Sequence, residues 1–166
     1  MFSERIVLWA PWRESYVIQQ HSGECIFCKA VNQDDLVNYV VYRSRHSIAL
    51  LNKYPYNNGH VMVAPIKHVP SLEMLSDDEL LDLAKTVSIV LKALRKCYNP
   101  HGFNIGANIG RAAGAGIEGH LHIHIVPRWN GDTNFMPVIA NAKVIPEDLN
   151  VSWRKIRSCL EDISSD

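Results

Sequence analysis

Apolar residues alternate with polar ones in short runs along much of this chain and settle into a 3.6-residue rhythm twice, which predicts several strands and two main helices. Residues 39–51 (YVVYRSRHSIALL) read as two short strands around a polar turn at Arg43–His46. Asn57-Asn58-Gly59 is a turn, and HVMVAP (60–65) is a further strand ending at Pro65. The clearest helix follows. Ser76 and Glu79 form a capping box, Asp77 and Asp78 suit the positive end of the dipole, and Leu80, Leu83, Ala84, Val87, Val90, Leu91 and Leu94 make an apolar stripe. Lys92, Arg95 and Lys96 crowd its C-terminus, and Asn99-Pro100 stops it. GFNIGANIG (102–110) predicts a strand running into a glycine-rich turn, and HLHIHIV (120–126) a strand closed by Pro127. A last helix, about 146–163, begins at Pro146 and turns Leu149, Trp153, Ile156 and Leu160 toward the core. Strands and helices mix without steady βαβ alternation, so the expected class is α+β with a mainly antiparallel sheet.

At 166 residues, 47% hydrophobic and 20% charged, the chain suits one globular domain over 1–166, with the segment 1–24 and the C-terminal helix as additions. Lys plus Arg and Asp plus Glu number 17 each, so no positive field points to nucleic-acid binding. The opening MFSERIVLWAPWRESYVIQQ has an early acid and no unbroken apolar core, and no run reaches membrane-spanning length. The expected compartment is therefore the cytoplasm, with no membrane partner. In that reducing setting Cys25-x-x-Cys28 reads as metal-binding or redox, while Cys97 and Cys159 lie on helices and are expected to be core or surface thiols.

The strongest chemical signal is His120-Leu121-His122-Ile123-His124. On a strand, residues i, i+2 and i+4 share a face, so three of the chain's eight histidines line up roughly 7 Å apart. A half-exposed strand explains one or two such histidines; three at strict alternation point to a site. Gly106, Gly110, Gly114, Gly116 and Gly119 precede them and allow backbone amides to approach an anion closely.

GRAAGAGIEGHLHIHIVPRW resembles the histidine-triad motif with its glycine-rich lead-in, and NKYPYNNGHVMVAPIKHV resembles the same family's upstream asparagine-to-histidine segment. With CIFC, the match spans roughly residues 24–130 in the family's order. APWR near the start and PRWNGDTNF after the triad resemble the branch of diadenosine tetraphosphate phosphorylases and fragile-histidine-triad-like hydrolases. The resemblance implies a five-stranded, mainly antiparallel sheet with two main helices, and a homodimer formed through the long helix and adjoining strand. It also implies that His122 attacks a nucleotide α-phosphorus to give a nucleotidyl-histidine intermediate, which divides one displacement into two. His124 would stabilise charge on the phosphate oxygens, His60 would support the triad from the adjacent strand, and Gly116 and Ile117 would offer backbone N–H groups. Many relatives have serine or threonine where Ile117 stands. Asn52 matches the ribose-binding position, with a strand-end turn as its other reading. Asn108 resembles the phosphate-side amide.

Zinc-containing members of the family use two cysteines, a histidine in P-K-x-H and the first triad histidine. Those positions are Cys25, Cys28, His68 and His120, and four protein ligands would make such a zinc structural. A redox CxxC, two packed thiols and His21 as another ligand are the competing readings.

The expected function is cleavage of a dinucleoside polyphosphate such as diadenosine tetraphosphate, by hydrolysis or phosphorolysis according to the second acceptor. Magnesium could accompany the substrate through its phosphates, leaving no protein motif. A nucleoside phosphoramidase shares the mechanism. A zinc hydrolase using HxHxH as ligands lacks a following aspartate or glutamate, and a nucleotide-binding adaptor would not require His122.

Overall fold

The computed structural model describes residues 24–132, 145 and 147–164. The first 23 residues, with Trp9, Pro11, Trp12, Arg13 and His21, and the segment 133–144 lie outside them. In chain order the elements are α1 (Ile26–Asn32), β1 (Val40–Arg43), β2 (Ser47–Leu51), β3 (Val61–Pro65), α2 (Asp77–Tyr98), β4 (Gly102–Gly106), β5 (Ile123–Arg128) and α3 (Leu149–Ser164). The five strands form one antiparallel sheet in the order β1-β2-β3-β5-β4. The α+β class, the five strands and the two main helices are as expected; the short helix α1 was not anticipated.

The two-residue alternation sorts the strands into two faces. Val41, Ala49, Leu51, Val61, Val63 and Ile125 pack with Leu83, Val90 and Leu94 of α2 and Ile156 and Leu160 of α3. Val40, Ile48, Leu50, Met62 and Ala64 point the other way, under Phe27 and Ala30 of α1. Helix α2 begins as the sequence predicts: Ser76 accepts from the Glu79 amide at 3.4 Å and the Glu79 carboxylate accepts from the Ser76 amide at 2.8 Å. Asn99 ends it in the left-handed conformation, with φ 44°. Helix α3 starts later than Pro146, at Leu149, because Asp148 is its cap: the Asp148 carboxylate accepts from the Asn150 amide at 2.8 Å.

Strand β5 departs from the expected 120–126 at both ends. It begins at Ile123 and runs through Pro127 to Arg128. Pro127 is tolerated because β3 pairs with β5 only as far as Ile125. Its carbonyl points to that vacated side, toward Asn57 at 3.0 Å, so its missing N–H removes no ladder bond. His120, Leu121 and His122 precede the ladder and are held instead by Leu121, whose amide donates to the Val69 carbonyl at 2.7 Å.

Cys97 of α2 and Cys159 of α3 form a disulfide across a sequence separation of 62, with Cα atoms 6.1 Å apart. This corrects the expectation of separate thiols: the two helices pack side by side, which their spacing in sequence does not reveal. Closing a loop of that length stabilises a fold by up to about 4 kcal/mol through loss of unfolded-state entropy. Cys159→Ser should therefore lower stability by as much as that amount in urea unfolding under oxidising conditions. Under full reduction the parent and variant should converge.

Candidate active site and metal cluster

The histidines stand on the α1 side of the sheet. Leu121 and Ile125 enter the helix-covered core, and Ile123 packs against it, so His120, His122 and His124 must face the other way. Directly opposite His124 on β3 is Met62, which places His60, two residues earlier, diagonally across from it. The turn Asn57-Asn58-Gly59 delivers His60 to this position, its amide donating to the Asn57 carbonyl at 3.3 Å. Gly59 adopts φ +69°, which favours glycine, and a Cβ there would lie 3.0 Å from the Tyr98 ring, so the ring would have to shift to admit one.

Hydrogen bonds assign a tautomer to each ring. The Tyr56 amide donates to His60 Nδ1 at 3.1 Å, so the ring proton of neutral His60 resides on Nε2. That Nε2–H donates to His124 Nδ1 at 2.9 Å, leaving the His124 proton on Nε2. His122 is set the opposite way: its Nδ1–H donates to the His120 carbonyl at 2.9 Å, and its lone pair is on Nε2. The His122 and His124 ring centroids are 4.9 Å apart. An imidazole with a free lone pair thus adjoins one whose far nitrogen carries a proton, an arrangement suited to attack on an electrophile beside a donor for its developing charge.

Burial disfavours protonation of His122 and His60. It holds His122 below the ordinary histidine range, against the opposing bond to the His120 carbonyl. His60 is 1% exposed and is pushed down to about 3, first by burial and then by the neighbouring His124 and His122. The unfolded chain takes up a proton at His60 below the ordinary value of 6.5, whereas the folded chain does so only near 3. Stability from this residue is therefore complete above pH 6.5 and lost as pH falls toward 3, by at most about 5 kcal/mol. His60→Gln should flatten the acid limb of stability, measured as the difference in urea unfolding between about pH 7 and about pH 4. An unchanged slope would show that His60 does not govern it.

The predicted metal ligands come together. Cys25 and Cys28 project from the start of α1, three residues apart and hence on one helical face. Cys25 Sγ lies 3.3 Å and Cys28 Sγ 3.7 Å from His120 Nδ1, Cys28 Sγ is 3.1 Å from His68 Nδ1, and the two Nδ1 atoms are 3.2 Å apart. A tetrahedron with zinc bond lengths to sulfur and nitrogen has edges of roughly 3.3–3.8 Å. These separations run from 3.1 to 3.7 Å and all four atoms lie within 4.8 Å of one another, a cluster of the size such an ion would draw together. The second ring nitrogen of His120 supports the same reading, since its Nε2–H donates to the Pro65 carbonyl at 2.8 Å and turns the Nδ1 lone pair toward the thiols. Gly119 leaves room for His68, whose Nε2 would be 3.2 Å from a Cβ there. Burial, followed by the adjacent Cys25, raises the Cys28 thiol above its ordinary value; a dication would reverse this.

The residues expected on the substrate side are arranged less uniformly. Asn52 follows β2, is 7% exposed, and uses Oδ1 to accept from the Tyr54 amide at 2.9 Å, so the strand-end turn is formed. Asn108 lies two residues beyond Gly106, the partner of His124, where the chain has left the sheet. The glycine loop contains a 3-10 turn at Arg111–Ala113, bracketed by Gly110 at φ 78° and Gly114 at φ 84°. Gly116 follows this turn, and the Ile117 side chain packs on the cluster around Phe27. Sequence reasoning missed Phe27, whose ring centroid is 5.0 Å from that of His120 and 5.1 Å from that of His122, and Tyr56, whose ring is 4.6 Å from His60. Phe27 could have been suspected as the apolar residue between two ligand cysteines; Tyr56 acts through its amide and leaves no such signal.

The HIT domain family model matches residues 34–131. AP-4-A phosphorylase of Mycobacterium tuberculosis is 38% identical over 156 residues, 89% of this chain and 80% of the relative. Adenosine 5'-monophosphoramidase hnt1 of Schizosaccharomyces pombe is 30% identical over 134 residues, 81% of this chain and 96% of the relative. The crystal structure of a zinc-bound histidine triad family protein from Mycobacterium smegmatis superposes with TM-score 0.67 at 25% identity, covering 86% of this chain and 96% of that one. The chain belongs to the HIT, or histidine-triad, family, and its similarity to these catalysts makes it an enzyme of that family. Among the described residues no helix is long and apolar enough to cross a membrane.

Proposed function

We propose that the protein cleaves dinucleoside polyphosphates at the α-phosphate through a nucleotidyl-His122 intermediate. The observation that carries this is the opposed tautomers: His122 Nε2 holds a lone pair beside a His124 ring whose Nε2 is protonated. His122 Nε2 forms a bond to the α-phosphorus while the bond to the bridging oxygen breaks and the remaining polyphosphate leaves. His124 Nε2–H donates to the phosphate oxygens as charge builds, and His60 holds His124 in the donating tautomer. In the second step an acceptor oxygen attacks the same phosphorus and the phosphorus–nitrogen bond breaks, restoring His122.

Gly116 and Ile117 offer backbone amides to the transferred phosphate, Asn108 approaches it from the β4 side, and Asn52 binds ribose through its carboxamide nitrogen, since its oxygen serves the turn. Cys25, Cys28, His68 and His120 hold one structural zinc, supported by their spacing and by the zinc-bound neighbour. Bound there, zinc supplies no open coordination position and cross-links α1, the segment after β3 and the histidine row. Magnesium, where present, arrives with the substrate phosphates. The partner is a second copy, joined through α2 and the edge strand β4, where Ile105 is exposed, as is Ile109 in the loop that follows. The cytoplasm is the proposed location, a reducing setting in which the Cys97–Cys159 disulfide is open to reduction.

The similarity to AP-4-A phosphorylase favours inorganic phosphate as acceptor. Purified protein given diadenosine tetraphosphate should yield ATP plus ADP with phosphate present. AMP plus ATP without phosphate would make it a hydrolase. No turnover of any dinucleotide, with rapid cleavage of an adenosine phosphoramidate, would replace this reading with that of the monophosphoramidase relative.

A further inference from the structure

Outside the histidine row, a polar network, buried at Asn57 and reaching the surface at Arg128, joins the turn before β3, which carries His60, to β5, which carries His124. The ladder between β3 and β5 covers only Val61, Val63 and the residue between them. Beyond it, the Asn57 carboxamide nitrogen donates one hydrogen to the Pro127 carbonyl at 3.0 Å and the other to Asp132 Oδ2 at 2.9 Å. The Asp132 side chain is 7% exposed and receives a two-point contact from Arg128, Nε to Oδ2 at 2.6 Å and Nη2 to Oδ1 at 2.9 Å. It also accepts from the Trp129 amide at 3.2 Å, while its own amide donates to the Trp129 carbonyl at 3.1 Å. Arg128 reaches on to β4 through Nη1 and the Asn104 side-chain oxygen at 2.8 Å. Charge-assisted, two-point bonds of this kind are the strong and geometrically specific ones.

We propose that Asn57, Arg128 and Asp132 are positioning residues that set the contact between His60 and His124. His60 lies three residues after Asn57, and its amide is bonded to the Asn57 carbonyl; His124 lies four residues before Arg128. The two rings meet diagonally rather than across a ladder pair, so their 2.9 Å bond depends on how the strands splay above Val61. The clamp fixes that splay from the far side of the turn. Its contacts among the described residues are with backbone and with Asn104 rather than with the reacting rings. The two hydrogens on one nitrogen explain why an asparagine is needed at 57: an aspartate would set its charge against the Pro127 carbonyl and the Asp132 carboxylate.

This inference rests on the roles given above to His60 and His124, and its test separates the two. In protein carrying 15N-labelled histidine, Asn57→Ala should move the imidazole nitrogen signals of His60 and His124 from single-tautomer values toward tautomer averages. The His122 signals should stay in place, with Tm within about 5 °C of the parent. On the dinucleotide substrate, kcat should fall about 10–100-fold with KM nearly unchanged. Asn57→Ala combined with Asp132→Ala should cost no more than the worse single change, as expected for one shared path. Should Asn57→Ala not fold, Asp132→Asn, which keeps the side chain's size, is read by the same signals. Unmoved His60 and His124 signals, or a fall in kcat matched by a general loss of Tm, would overturn the clamp. A parent protein without dinucleotide turnover would sink the functional reading, and the imidazole signals would still decide the clamp.

Discussion

Replacing His122 with alanine is expected to reduce dinucleotide turnover by about 10^4-fold or more, while the sheet, the metal cluster and substrate affinity persist. The magnitude follows from the proposed role: when a nucleophile that forms a covalent intermediate is deleted, what survives is catalysis by the remaining charge-stabilising groups. The fold should tolerate the change because the helix-covered core is built from Leu121, Ile123 and Ile125, on the other side of the same segment. The cost to stability comes from the bond to the His120 carbonyl, the packing against Phe27 and the ring contact with His124.

His124→Ala offers the contrast. It removes a donor rather than the attacking atom, and its loss should cost on the order of 10^2–10^3-fold in kcat. Rapid-quench trapping of a nucleotidyl-protein adduct distinguishes the two: the adduct forms slowly in His124→Ala and not at all in His122→Ala. Adduct formation in His122→Ala would place the nucleophile elsewhere. Comparable losses in both variants without any adduct in the parent would argue for direct displacement.

The row His120–His124 was legible because its alternation is enforced twice, by the apolar core on one face and by the chemistry on the other. The cluster of Cys25, Cys28, His68 and His120 was legible through resemblance, and α1 shows the physical basis: one helical turn brings Cys25 and Cys28 to one face. Strand boundaries were less legible, since they depend on partners. HLH precedes β5 because the side chain of His120 takes the Pro65 carbonyl and Leu121 takes that of Val69. Pro127 remains within the strand because β3 no longer lies alongside it. Asn52 satisfied two patterns at once, and the structure forms the turn with the very oxygen that sequence could not allocate. The pairing of Cys97 with Cys159 and the joining of Asn57 to Asp132 are products of tertiary packing, and neither has a local sequence signature.

Removing the proposed zinc is the second large effect expected, and it should act on both stability and catalysis. Structural zinc contributes on the order of 10–16 kcal/mol where it alone organises a small domain. Here the core beneath α2 and α3 is formed from apolar side chains without it, so the expected loss is smaller, about 5 kcal/mol, or roughly 10–20 °C in Tm. Catalysis should suffer because His120 serves two groups at once: its ring would hold zinc through Nδ1, and its carbonyl accepts the His122 proton that leaves Nε2 free. Without zinc the ring keeps only its bond to the Pro65 carbonyl, so the backbone that carries the His120 carbonyl is held less firmly, and kcat should fall about 10–100-fold even at temperatures where the protein remains folded. Strong chelation and Cys28→Ser should produce the same pair of changes, and a colorimetric assay should find one zinc per chain in the parent and far less in the variant. His120→Ala should be worse than Cys28→Ser, since it removes the Pro65 contact as well as a ligand. A parent chain free of zinc and indifferent to chelator would reduce the four residues to a packed cluster. Loss of Tm with kcat untouched would keep the metal but detach it from the nucleophile.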